Sequence, residues 1–193
     1  GFLETSFYNS QLPASKVQAE ISPYLDELKG KNVLVSGAGG FIGFSLCRYL
    51  AAHDCNVFAI LRDERQLYEL GNIVTAIVID DLCEVDDWKK MPAGVDAIVH
   101  LAGYVHERAG NLSEQARLQC TKLNVDVTRK LAQAAASVGV GRFIYVSSVK
   151  VHGESSHQNE SVTEYMELFP EGSYAKSKFT AEVILREIET SSD

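Results

Sequence analysis

Cysteine is scarce and irregularly placed: Cys47, Cys55, Cys83 and Cys120 are the only four, with no C-x-x-C pair among them. That excludes the dense disulfide framework of small secreted scaffolds and fits buried free thiols in a reducing cytosol. Long apolar runs are missing too. No stretch approaches the roughly 20 apolar residues of a membrane span, and residues 1–30 lack a basic segment followed by an apolar one, so a cytoplasmic protein is expected. Positive charge is short: 18 Lys and Arg face 26 Asp and Glu, a net charge of -8, and the basic residues are scattered rather than striped. This argues against nucleic acid or an anionic membrane as partner and for a small soluble one. The histidines, His100, His106, His152 and His157 among them, lack the H-x-x-x-H spacing that puts two ligands on one helix face, so no metal site is expected. Repeats and low-complexity tracts are absent.

What is present suffices for one sizeable core, since 46% of 193 residues are hydrophobic. Residues 1–30 are polar until Val17, Ile21, Leu25 and Leu28 follow one another at helical spacing, interrupted by Pro23. They read as an N-terminal extension with a short helical piece docked on a single domain, 31–193. From Lys31 onward, short apolar runs alternate with amphipathic ones. "NVLVSG", "NVFAIL", "IVTAIVI", "VDAIVHLA" and "RFIYVSS" read as strands, and helices are expected at about 41–53, 63–70, 84–91, 113–138 and 173–190. Alternation of this kind predicts an α/β fold, a doubly wound parallel sheet with helices on both faces. Ile77, Val78 and Ile79, apolar in succession, predict burial on both faces of their strand.

Between the first strand and the first helix stand Gly37, Gly40 and Gly43. Gly37 allows a sharp turn off the strand, Gly40 a close approach of pyrophosphate to the backbone, and Gly43 close packing of the helix. The helix N-terminus adds free N–H groups and partial positive charge. A glycine triplet after a strand can also be just a tight turn; its place inside a strand–helix–strand pattern favours a dinucleotide.

Four more stretches follow in order: "DDL" at Asp80 to Leu82, "HLAG" at His100 to Gly103, "VSSVKVHGES" from Val146, and "YAKSK" from Tyr174. Together with the G-x-x-G-x-x-G turn, they make residues 31–193 resemble the extended short-chain dehydrogenase/reductases, also called the NAD-dependent epimerase/dehydratase family, whose fold is Rossmann-like. The resemblance implies a catalytic set of Ser148, Tyr174 and Lys178. It places Gly37, Gly40, Phe41, Ile42, Gly43, Arg62, Asp81, Leu82, Leu101, Ala102, Gly103, Tyr174 and Lys178 against the cofactor, with Asp81 near the adenine amino group and the "HLAG" turn under a ribose. Of two adjacent serines on a strand only one faces a site; similarity to the family assigns Ser148 to the substrate and leaves Ser147 to cap the backbone. Asn124, in "LNVDVT", is expected to be a structural hydrogen-bonder with an indirect catalytic role.

Tyr174 and Lys178 lie one helical turn apart, so both project from one face, and a neighbouring ammonium would lower the phenol pKa and fit it for proton exchange with a sugar hydroxyl. A solvated helix carrying Lys176 and Lys178 is the competing reading. A serine hydrolase is disfavoured, because no G-x-S-x-G elbow is present. At the second strand's end Leu61 offers no acceptor to ribose hydroxyls. Arg62, with Arg65 close by, predicts pairing with a 2′-phosphate and thus NADP over NAD; the opposing reading is that Asp63 supplies the acid.

"SSVKVHGES" after "HLAGYVHE" is most similar to the subgroup acting on nucleotide sugars, the 4-epimerases and the 4-keto-6-deoxy-sugar reductases. Lys150, standing where the epimerases carry a small hydroxyl residue, tilts the reading toward reductases. Family members run roughly a hundred residues longer, which implies a C-terminally truncated chain without its substrate lobe. The alternatives are a reductase of another ketone, flavonoid-type or steroid, and a dinucleotide-binding sensor or scaffold without turnover. Apolar positions Leu118, Leu131, Val183, Ile184 and Ile188 on the two long helices predict a homodimer.

Overall fold

The computed structural model of the protein describes residues 26–105, 114–154, 162–163 and 165–192. The expected extension before residue 26, His106 and His157 lie outside them. The chain divides into two compact units. One takes the described residues up to Asp80 together with Lys90–Leu101 and Val140–Ile144; the other takes Asp81–Lys89, Ala102–Gly139 and Tyr145 onward.

The first unit is built on a sheet of β1 (Asn32–Ser36), β2 (Asn56–Leu61), β3 (Thr75–Val78), β4 (Ala97–His100) and β5 (Arg142–Tyr145), in the order β3-β2-β1-β4-β5. Pairing is parallel from β3 through β2 and β1 to β4, with Val35 in register with Ala59 and Val99. This is the Rossmann-like α/β architecture that the alternation predicted. A strand flanked on both edges has its backbone fully paired and can be apolar throughout, and in β1 Leu34 and Val35 are completely buried. Helix α1 (Phe41–Ala52) buries Gly43, Cys47 and Leu50, spaced to share one face. Cys47 and Leu50 join Val33, Val35, Val57, Ala59, Leu61 and Val99 in one apolar cluster. Burial there pushes the Cys47 thiol up to about 11, so it is inert as a nucleophile. The strand order reverses between β1 and β4, and the crevice beyond the carboxyl ends of strands at such a reversal is where open α/β sheets take ligands.

Two expectations need correction. Strand β3 is not buried on both faces: it pairs only with β2 at the sheet edge, and Val78 is 49% exposed. No helix spans 84–91. Two 3₁₀ turns, Leu82–Glu84 and Trp88–Lys90, stand there instead. The cause is local, since Asp81 and Asp87 each accept from the N–H two residues ahead, Cys83 N at 2.8 Å and Lys89 N at 3.0 Å, and such turns compete with helix. Helix α2 is short, Arg65–Leu70, and ends at Gly71 with φ +64.

The second unit is helical. A continuous rod runs through α3 (Glu114–Gln119), a π-helical stretch Cys120–Val127, and α4 (Thr128–Ser137), and α5 spans Gly172–Ser192. Asn124 sits in the π-helical stretch and is 1% exposed. Of the apolar positions offered for a dimer, Leu131 and Ile188 are buried within the chain while Leu118 is 54% exposed. No helix among the described residues is long and apolar enough to cross a membrane.

Candidate functional site

In the first unit the chain leaves β1 through a turn held by Gly37 at φ +70, a conformation that costs other residues strain. A Cβ on Gly43 would run into the Gly37 carbonyl oxygen and stand 2.8 Å from Ala38 Cα, so only glycine lets α1 start this close to the turn. Gly40 caps α1 with extended backbone and no side-chain hydrogen bond, and the first turn carries no acid. Among the described residues no side chain accepts from the N–H groups that open this 12-residue helix, and Phe41 beside them is 95% exposed. Such a terminus favours an anion.

At the end of β2, Leu61 is buried and Arg62 is exposed, its guanidinium forming no ion pair among the described residues. Arg65 is committed elsewhere, donating from Nε and Nη2 to Asp63 at 3.3 and 3.1 Å. Asp63 also accepts from Arg65 N at 2.9 Å, and the neighbouring guanidinium lowers its carboxyl pKa. Gln66 was missed in the sequence: its Oε1 accepts from Arg62 N at 2.8 Å, and its carboxamide occupies the space that a side chain on Gly39 would need. Only the folded turn brings these residues together. In the same unit Leu101 N donates to Ser36 O at 3.1 Å, and the buried Ser36 hydroxyl lies 2.5 Å from His100 Nδ1.

In the second unit, Asp81 caps the turn at Leu82. The "HLAG" segment continues through Ala102 and Gly103 to Tyr104, whose N–H donates to Asn124 Oδ1 at 2.7 Å. Asn124 Nδ2 donates to Tyr104 O at 3.1 Å and to Ser177 Oγ at 2.9 Å, and Ser177 donates to Tyr174 O at 2.7 Å. One buried carboxamide thus joins this segment to the first turns of α5. Ser177, in the middle of "YAKSK", carries a role that spacing did not reveal.

Lys176 is exposed and Lys178 is 5% exposed, which removes the reading of a helix with both lysines in water. Lys178 Nζ lies 3.9 Å from the centroid of the Tyr145 ring. Burial pulls its pKa down to about 8, against the opposing charge of Glu182. Burial also raises the Tyr145 phenol, with smaller contributions from Glu182 and Tyr174. Beyond β5, Ser148 is extended and its Oγ accepts from Lys150 N at 3.3 Å, heading the 3₁₀ turn Val149–His152. The capping expected of Ser147 therefore belongs to Ser148, because the extended backbone at Ser148 sets its hydroxyl over the next turn. The Ser147 hydroxyl is buried without a hydrogen-bond partner among the described residues. Lys150 pairs with Glu154 at 3.1 Å.

The family model for "NAD dependent epimerase/dehydratase family" matches residues 33–193. The chain belongs to that family. Among its relatives, a 3-beta-hydroxysteroid dehydrogenase of Mycolicibacterium neoaurum is 29% identical over 78% of this chain and 41% of its own length. A UDP-glucose 4-epimerase of Vibrio cholerae is 28% identical over 81% of this chain and 47% of its own. Among solved structures, MoeE5 in complex with UDP-glucose and NAD superposes with a TM-score of 0.68 at 27% identity, covering 81% of this chain and 48% of that one. The chain spans under half the length of each. Membership in this NAD-dependent family gives the glycine turn and the Tyr-x-x-x-Lys helix a common context.

Proposed function

We propose that the protein is the cofactor-binding part of an NAD(P)-dependent oxidoreductase or epimerase that moves hydride at the C4 carbonyl or hydroxyl of a nucleotide sugar. The observation that carries this reading is the burial of Lys178 one helical turn from Tyr174, since a lysine is rarely this buried without a task. Support for the substrate class comes from the UDP-glucose 4-epimerase relative and from the UDP-glucose held by MoeE5.

The residues of the first unit fit a dinucleotide. Gly37, Gly40 and Gly43 leave the head of α1 bare for a pyrophosphate, with Phe41 and Ile42 beside it. The bound nicotinamide would supply the hydride exchange. The chain's own residues do the acid–base work. Tyr174 exchanges a proton with the reacting oxygen, and Lys178 stands one helical turn away on the same face. Ser148 holds the same oxygen, because a hydroxyl that accepts from Lys150 N keeps its own proton to donate. Asp81, Leu82, Leu101, Ala102 and Gly103 complete the cofactor's surroundings.

Arg62 favours NADP: its guanidinium is uncommitted among the described residues, while Asp63 is engaged by Arg65. A homodimer through the two long helices and a place in the cytoplasm, where four free thiols are stable, belong to the same reading. The steroid dehydrogenase relative favours a second one, in which the same residues act on another ketone. A panel of UDP- and dTDP-sugars and 3-ketosteroids, incubated with the full-length protein and each cofactor and followed by NADPH absorbance and sugar NMR, separates them. C4 inversion or reduction of a nucleotide sugar is the expected result, and turnover of steroid alone would replace the first reading with the second.

A further inference from the structure

Lys178 is buried, yet among the described residues its ammonium makes neither a hydrogen bond nor an ion pair. What it meets is an aromatic face, with Nζ 3.9 Å from the centroid of the Tyr145 ring. A cation over the face of a ring is attracted by the ring's quadrupole, more so where water is excluded. We propose that the Tyr145 ring holds the Lys178 ammonium in place and in its charged form, which makes Tyr145 a positioning residue for the Tyr174–Lys178 pair. The inference rests on the reading of that pair given above.

The surroundings leave the ring as the partner of consequence. On α5 itself Glu182 is the one charge that favours protonated Lys178. The turn Val149–His152, packed on α5, brings Lys150, which is tied to Glu154, and His152. The π-helical stretch brings Lys122 and Asp126, the latter paired with Arg129 at 3.0 Å. None of these acts appreciably on Lys178. Burial works against the charge, and the ring face works for it. Tyr145 ends the strand that leads to Ser148, so one strand end sets both the lysine's support and the serine.

The test replaces Tyr145 by phenylalanine and then by mono-, di- and trifluorophenylalanine, which drain the ring's quadrupole while nearly keeping its shape. The titration midpoint of Lys178 is read by NMR of 13C-labelled lysine, with Lys178→Arg supplying the assignment. Tyr145→Phe should leave the midpoint near that of the parent, and each fluorine should lower it, by about one pH unit over the series. A midpoint indifferent to fluorination, or one lowered as far by Tyr145→Phe as by the trifluoro ring, would overturn the proposal. In the full-length enzyme the pH–rate profile should move with the midpoint. A midpoint that follows fluorination in a protein without turnover supports the ring's hold and counts against the catalytic reading alone.

Discussion

Asn124 and Ser177 stand 53 positions apart and are joined by a 2.9 Å hydrogen bond inside the second unit. With the two bonds from Asn124 to the Tyr104 backbone, that contact makes one side chain responsible for both a loop and the helix of Tyr174 and Lys178.

Asn124→Leu should therefore destabilise the protein by about 1–3 kcal/mol, since it removes a buried side chain that accepts from Tyr104 N and donates to Tyr104 O and Ser177 Oγ. Asn124→Asp keeps the acceptor for Tyr104 N and loses both donors, so it should fall between the parent and the leucine variant. Urea unfolding of the three proteins gives the order.

The glycines should separate fold from binding. Gly43→Ala drives a methyl group into the Gly37 carbonyl and should lower the melting temperature. A Cβ on Gly40 would sit 3.2 Å from Gly37 O, which a small adjustment absorbs, so Gly40→Val should fold while its side chain bars the pyrophosphate. Fluorescence titration with NADH and NADPH beside a thermal melt distinguishes the two. Full affinity in the Gly40 variant would remove the turn from the site.

Arg62→Ala should weaken NADPH by about tenfold, the loss expected for a charge-assisted contact to phosphate, and leave NADH nearly unchanged. Equal affinities of the parent for both cofactors would end the NADP preference.

Lys178 also gives stability a pH dependence. Its folded pKa of about 8 lies below the ordinary lysine value of 10.5, so between these values the unfolded chain holds more protons than the folded one. The Lys178 contribution to stability should then rise with pH from about 8 to 10, by at most ~1.4 kcal/mol per pH unit, while the Cys47 and Cys83 thiols, raised to about 11 by burial, act in the opposite sense above about 9. Lys178→Met should remove the lysine's contribution and leave that of the thiols, so the gap between parent and variant should change with pH. Unfolding free energies at intervals from pH 7 to 10 test it, and parallel curves for parent and variant would contradict it.

The parts of the molecule legible in the sequence were those governed by local pattern. The strand–helix alternation gave the parallel sheet, and the G-x-x-G-x-x-G spacing marked a turn where Gly37 has positive φ. The long helix expected at 173–190 runs Gly172–Ser192. Legibility failed where non-local packing or hydrogen bonding decides. The segment 84–91 has helical composition, but the carboxylates of Asp81 and Asp87 fold back on their own backbone. Ile77 and Val78 look like a central strand, yet strand order, which no local pattern encodes, puts them at an edge. Tyr145 lies 33 positions from Lys178 and Gln66 lies 27 from Gly39, separations across which no spacing rule operates.

The central claim is that Tyr174 exchanges the proton, and Tyr174→Phe in the full-length protein tests it most directly. Turnover of the nucleotide sugar identified by the panel should fall by about 10² or more, with NAD(P)H affinity barely changed. Turnover at the parent rate in Tyr174→Phe would contradict the account.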